Sequence, residues 1–446
     1  ASIMRPVRIV PQISTYMKID LLFAVFFYVV FFQPYQLAVL GWQDLRDSTF
    51  LTYTFAEESN RAVILATIGL LAFNIGFHLR KGDGWHSPSV SIPTADEQLR
   101  YGELDKLVPM ALFALCAIYL ATGMRSSGEG RYTGTDAGGS AADGISLLIS
   151  MLTIITIGLI CARRAQSVRP HGMLWFGLLV GASWAVRVLL LGDRNTFLLF
   201  AVALIGGALT YFFQAGRLVL LGLIVGAFVL YNVVEYARMA TNPTIDQLLS
   251  AAFNARSAKT GAEGSDNSFN ITTVSVRAGL YAVPALFDYG GGYYKLLGFA
   301  GIVPLVRGFL FDPNTQFATT TDVLTQVMIG PNRGWSVGTN VIMDSYIDFG
   351  VLGVVAVLAT VGLLAGWAQN AAHGNPASTQ VTVFYLLSMT MFAQLPRYAI
   401  DFPVRAFVWT ALIFGVYRLL SPRSRRASHL RNAPFKSRSQ KTGTEK

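Results

Sequence analysis

The chain has 446 residues, of which 53% are hydrophobic and only 13% charged, and its formal net charge is +10. Soluble domains carry about 25% charged residues, so this composition excludes an ordinary soluble enzyme. The positive balance does not signal nucleic acid, because most of the excess collects in the C-terminal tail, where it suits an anionic lipid surface.

Apolar runs of about 20 residues can cross the hydrocarbon core, and only as helices that satisfy their own backbone bonds. In chain order they fall near 20–40, 61–80, 106–124, 145–163, 172–191, 195–213, 218–237, 341–369, 380–396 and 404–420. The expected fold is an all-α polytopic membrane protein with about ten transmembrane helices. The first run follows basic residues but is too long for a signal sequence, so it is read as a retained anchor. Residues 1–237 would carry helices one to seven, 238–340 a large outer loop, 341–420 helices eight to ten, and 421–446 a basic cytoplasmic tail.

Orientation follows from the bias of Lys and Arg towards the cytoplasm. Arg5, Arg8 and Lys18 precede the first acid, Asp20. Arg163, Arg164 and Arg169 follow the fourth span, and the tail sets Arg418, Arg423, Arg425, Arg426, Arg431, Lys436, Arg438, Lys441 and Lys446 against Glu445 alone. Alternating spans put all three groups on one side, giving N-in and C-in. The loop near 81–105, almost balanced in charge, dissents mildly.

The investment lies on the outer face. Its long loop begins polar, turns Tyr- and Gly-rich at Asp288-Tyr289-Gly290-Gly291-Gly292-Tyr293-Tyr294, and continues into an apolar stretch at 295–307 that Gly and Pro break. That stretch is too short to span, and short interfacial or re-entrant helices fit it better. The tyrosines beside Asp288 suit either sugar stacking or an interfacial aromatic belt.

Arginines recur at the outer membrane boundary: Arg187, Arg194, Arg238, Arg277, Arg307, Arg333, Arg397 and Arg405. A guanidinium there is costly unless paired or hydrated, and its planar fork matches phosphate oxygens. The group suits a diphosphate on a lipid tail; individually, each arginine could instead pair with Asp193, Glu235, Asp344 or Asp401. All five histidines (His78, His86, His171, His373 and His429) fall on the inner side or at inner span ends, so an outer base would be a carboxylate or a tyrosine such as Tyr346. The outer side has no Asp-x-Asp pair for a metal, and no cofactor motif is present; without a metal, arginines would have to stabilise a departing diphosphate.

Arg397 and Asp401 stand four apart between Pro396 and Pro403, which on a helical turn would place them on one face. They read either as a structural ion pair or as a phosphate ligand beside a general base. Asp344 and Asp348 are also four apart where a span enters from outside. A proton relay would explain them; so would the dipole at a helix N-terminus, or a buried arginine partner for the deeper Asp348.

Gly192-Asp193-Arg194-Asn195, Glu235-Tyr236-Ala237-Arg238 and Ile302-Val303-Pro304-Leu305-Val306-Arg307 follow in that order. After them come Gly338-Thr339-Asn340, Phe349-Gly350-Val351-Leu352-Gly353 and the turn from Arg397 to Asp401. Together they resemble the bacterial Wzy-type polymerases of oligosaccharide repeat units, which make O-antigen and enterobacterial common antigen. The resemblance covers about 190–405 and implies a metal-independent inverting glycosyltransferase of the inner membrane. Such an enzyme moves a growing glycan from undecaprenyl diphosphate onto another lipid-linked repeat, on the periplasmic side. It makes Arg194, Arg238, Arg307 and Arg397 diphosphate ligands. The role of Asp401 as base comes from the residues rather than from the family, with Asp344, Asp348 and Asp288 as alternatives for it; Tyr346 and Arg277 are further candidates for the site. The Arg-x10-Gly motif of some members has no outer match. A chain-length regulator and a flippase are the protein partners the resemblance suggests, besides membrane lipid. The competing expectations are an O-antigen ligase, which typically uses a loop histidine, and a lipid-linked oligosaccharide flippase, which tends to show related halves and mid-span charges.

Overall fold

The computed structural model describes residues 4–6, 17–42, 44–46, 51, 53–79, 101–125, 140–191, 193–215, 268–303, 306–311, 317–330 and 336–420, with isolated positions between 219 and 229. Most of the expected span 218–237 lies outside them, as do Arg238, Arg333 and the basic tail. At Arg194 and Arg307 only the backbone is described.

In chain order the elements are β1 (Met4–Pro6), α1 (Ile19–Phe31), α2 (Gln33–Val39), α3 (Ser59–Leu79), α4 (Leu104–Ala121), α5 (Ser140–Ala165), α6 (Gly172–Leu190), α7 (Arg194–Tyr211) and β2 (Phe213–Ala215). Then follow α8 (Ser268–Ala282), α9 (Tyr293–Ala300), α10 (Val306–Leu310), α11 (Thr320–Ile329), α12 (Val341–Gly374), α13 (Thr379–Gln394) and α14 (Asp401–Leu420). The all-α expectation holds for the architecture, and beside the helices the three-residue strands β1 and β2 pair antiparallel, Arg5 opposite Gln214.

Among the described residues six helices, α3, α4, α5, α6, α12 and α14, are long and apolar enough to cross a membrane, and α1 with α2 makes a seventh if the pair is one span. That pair bends by 46° where Pro34 enters α2, since proline lacks an N–H and clashes with the preceding turn. The spans expected at 195–213 and 380–396 are the shorter helices α7 and α13, the latter ending where Pro396 opens a 3-10 turn. Surfaces turned away from the bundle are apolar, as at Leu71, Ile75, Leu179, Leu352 and Leu419, which suits lipid and not water. The chain is a multi-pass membrane protein.

The tightest seam runs between α3 and α12. Lipid gives no hydrophobic drive for helices to associate, so small residues that let backbones approach supply the contact. A Cβ at Gly76 would collide with the Ala359 carbonyl, one at Gly362 with that of Phe73, and one at Gly366 with that of Phe77. Backbone cannot move aside as a side chain can. Gly362→Val is expected to cost at least the roughly 1–3 kcal/mol typical of overpacking, read as a lower unfolding temperature in detergent.

Hydrogen bonds sort the helix ends onto two faces. At the terminal end, Arg163 grips Asp105 through Nε (2.8 Å) and Nη2 (3.0 Å), and also reaches the Tyr101 carbonyl and Gln166. Gln166 donates to the Ala377 carbonyl between α12 and α13, Gln369 receives the Ile19 N–H, and Tyr101 packs on Phe414 and Tyr417 of α14. At the loop end, Thr273 donates to the Val30 carbonyl, Asn340 to Ser275, and Gln394 and Arg397 to Asn195. The connections that alternation assigns to one side of the membrane therefore meet one another in space.

Candidate functional site at the loop end

Helix α12 begins at this end under a strong cap. The Asn340 side chain accepts from the N–H groups of Ile342 (3.1 Å) and Met343 (3.0 Å), two of the donors a helix start leaves unpaired. One turn on stands Asp344, and another turn on Asp348. The carbonyl ladder is then interrupted at Gly350, where φ is 65° and ψ −156°, a region open essentially to glycine alone. Beside the break, the carbonyls of Ile347 and Asp348 accept from Gly290 and Gly291. The glycine turn of the loop thus replaces part of the helix's own bonding. Gly350→Ala is expected to lose about 1–3 kcal/mol through backbone strain, its Cβ meeting the Tyr289 ring in ordinary contact at 3.4 Å. Denaturation of the purified variant in detergent checks this.

Asp348 is fully buried and works as a cap for another helix. Helix α9 starts at Gly292, which has no side chain to offer. The Asp348 carboxylate instead accepts from the N–H groups of Gly292 (3.2 Å), Tyr294 (3.3 Å) and Lys295 (3.0 Å). The positive end of the α9 dipole favours that charge. Burial, with the Asp348 charge next in weight, pushes the Tyr294 phenol above its ordinary value.

The residue that sequence reasoning missed is Lys295. Its ammonium sits between two acids, 2.8 Å from Asp344 Oδ1 and 3.2 Å from Asp348 Oδ2, and also donates to the Asp344 carbonyl. The buried partner expected for Asp348 was an arginine; it is this lysine. A lone lysine opening the otherwise apolar stretch at 295–307 was the available signal. Asp344 is saturated as well: Oδ1 also accepts from Thr320 Oγ1 (3.0 Å), and Oδ2 from the Ile400 N–H (2.9 Å).

Ile400 precedes Asp401, the first residue of α14. The expectation that Arg397 and Asp401 share a helical face does not hold. Leu395–Arg397 is a 3-10 turn and Tyr398 is extended (φ −128°, ψ 159°), so the helical register is lost between them. Arg397 donates to Asn195 Oδ1 at 2.9 Å instead, tying the 195 turn to the 397 turn. Asp401 pairs with Arg405, one turn along α14, at 3.3 Å. Side-chain exposure separates the three acids: 25% at Asp401, 7% at Asp344 and 0% at Asp348. Arg405 also buries an Nε that has no partner among the described residues, leaving an unmet demand for an acceptor beside Asp401.

Helix α9 lies against this corner. Lys295, Gly298 and Gly301 recur every three residues along it; a Cβ at Gly298 would come 3.2 Å from Asp401 Cβ, and one at Gly301 would come 3.7 Å from Arg405 Nη2. The other side of the strip exposes Leu296, Phe299 and Val303, followed by Phe309 and Leu310 of α10, as an interfacial hairpin would.

Of the sequence candidates, Asp344, Asp348 and Asp401 come together. Tyr346 is on the same helix but donates to the Val283 carbonyl at 3.3 Å and packs on Tyr289; Asp288 is exposed on the loop. Arg277 does not join the group. It is fully buried in α8, donating to the Leu45 carbonyl at 3.2 Å, and burial lowers its affinity for its proton, opposed by Tyr35 and Glu57. Arg194 and Arg307 are located by backbone only, and Arg238 lies outside the described residues.

A multi-pass helical membrane protein that gathers buried carboxylates, a lysine and an arginine where its spans emerge carries a candidate functional site there. The family model for O-antigen polysaccharide polymerase Wzy matches residues 178–421. That segment is more than half of the chain and holds every residue of the cluster, and the chain belongs to this family. No curated protein and no solved structure matches it.

Proposed function

We propose that the chain polymerises undecaprenyl-diphosphate-linked oligosaccharide repeat units at the periplasmic face of the bacterial inner membrane. The reaction is an inverting glycosyl transfer without a metal. Asp401 takes the proton of the acceptor hydroxyl as that oxygen attacks the anomeric carbon of the donor glycan. The bond from that carbon to the diphosphate oxygen breaks, and the lipid diphosphate leaves with the electron pair. Arg405 and Arg397 offset the charge that develops on it, joined by Arg194, Arg238 and Arg307 on the strength of the family resemblance.

One observation carries the reading: Asp401 is the single acid of the cluster with an open side chain, and Arg405, with its unmet Nε, stands beside it. Asp344 and Asp348, which in a metal enzyme would hold the cation, enclose the Lys295 ammonium instead. The N-in and C-in orientation with about ten spans rests on the basic ends.

The test is reconstitution in liposomes with lipid-linked repeat units and EDTA, with products resolved on a gel. A ladder of increasing repeats is expected. No ladder from intact, accessible substrate would sink the proposal, and the same vesicles would then be assayed for ligation to lipid A and for transport.

A further inference from the structure

We propose that Lys295 and Asp344 form a positioning pair that fixes Asp401 against its substrate, with helix α9 as the rigid part that carries the lysine. The inference rests on the reading of Asp401 as the base and goes beyond it by assigning the parts that aim it.

Asp401 opens α14, and from its own helix it is held only by long contacts, Arg405 to its carboxylate at 3.3 Å and the Val404 N–H to the Ile400 carbonyl at 3.4 Å. The preceding turn is irregular: Tyr398 is extended, and the Phe402 N–H reaches back only to the Ala399 carbonyl, at 3.3 Å. A helix start of this kind is fixed by whatever pairs its free N–H groups. Here the Ile400 N–H, immediately before Asp401, is held by Asp344 Oδ2 at 2.9 Å. The other oxygen of Asp344 is held by Lys295 and Thr320, so the carboxylate cannot rotate away from Ile400 without breaking a charge-assisted bond. Lys295 in turn is fixed because Asp348 takes both its ammonium and its backbone N–H. One unbroken set of bonds therefore runs from α12 through α9 to the peptide that bears Asp401. The absence of a side chain at Gly298 lets α9 lie flush on Asp401. Neither Lys295 nor Asp344 opens towards solvent, so both act through Asp401 and neither need touch the sugar.

The experiment measures kcat and KM of full-length variants in the liposome assay, with Asp401→Asn as reference. Asp344→Asn has a single oxygen to serve Ile400 on one side and Lys295 and Thr320 on the other, so its amide must face a donor and it is expected to lower kcat with KM little changed. Asp344→Leu removes the acceptor, and Lys295→Met combined with Asp348→Asn removes the clamp while leaving the local charge sum unchanged. Both are expected to lower kcat about 100-fold, as a misplacement near 1 Å does, with KM little changed. If Asp344→Leu does not fold, the Asp344→Asn variant and the double variant decide between them. Wild-type kcat in the folded double variant, with Asp401→Asn inactive, would overturn the positioning role and leave the base standing. Full activity of Asp401→Asn itself would instead remove the base.

Discussion

Asp401→Asn is expected to abolish the product ladder, with single-turnover transfer falling by about 10²–10⁴, the usual contribution of a general base. The substitution keeps the shape of the side chain and an oxygen for Arg405, which donates to Asp401 Oδ2 at 3.3 Å, so the fold should survive. What is lost is the ability to accept a proton from the acceptor hydroxyl. The effect should fall on kcat, since Asp401 is asked to act in the transition state and not in holding the lipid. Transfer rates measured in proteoliposomes, beside the elution profile of the purified variant, decide the matter. A ladder formed at the wild-type rate would take Asp401 out of the site.

Arg163→Met should produce the largest loss of stability, and at the opposite end of the bundle. Arg163 is 3% exposed at the side chain and its partner Asp105 9%. Removing the guanidinium strands a buried carboxylate, which typically costs about 3–5 kcal/mol, and frees Gln166 and the Tyr101 carbonyl from their donor as well. Thermal unfolding in detergent should show the drop. Adding Asp105→Asn should recover part of it, because the pair is costly to break singly but not to neutralise together. The fraction that remains folded should polymerise normally, since this network touches the other face. A variant whose folded fraction lost transfer would show the two ends to be coupled.

The two cases differ in how far the sequence announced them. Arg163 and Arg164 stood out as basic residues closing a span, which served to orient the chain, but their linear position said nothing of Asp105, 58 residues earlier. The acids Asp344 and Asp348 were found by their spacing at a span entrance, and the structure keeps them together. Their role was not legible: one caps α9 from a distance and the other holds the peptide before Asp401, both contacts made by chain far away in sequence. Lys295 read as the ordinary start of a short apolar segment, because a lysine's role depends on what surrounds its ammonium. Arg397 and Asp401 misled through a rule valid only inside a helix; the 3-10 turn and the extended Tyr398 take that register away.

Taken alone, the sequence determined that this is a multi-pass helical membrane protein, since backbone in hydrocarbon must bond to itself and runs of that length permit little else. It also grouped the connections by alternation of the spans, and bonds such as Asn340 to Ser275 and Arg163 to Asp105 join segments of one group. Only the tertiary structure decided which carboxylate is open. Asp344, Asp348 and Asp401 are the same residue type near the same boundary, and what separates them is the number of donors that folding brings to each. Two are filled by Lys295, Thr320 and the amides of α9 and Ile400, and the third faces Arg405 with a quarter of its side chain exposed. Donor counts of that kind are set by contacts between segments up to 56 residues apart, and no local pattern in the chain encodes them.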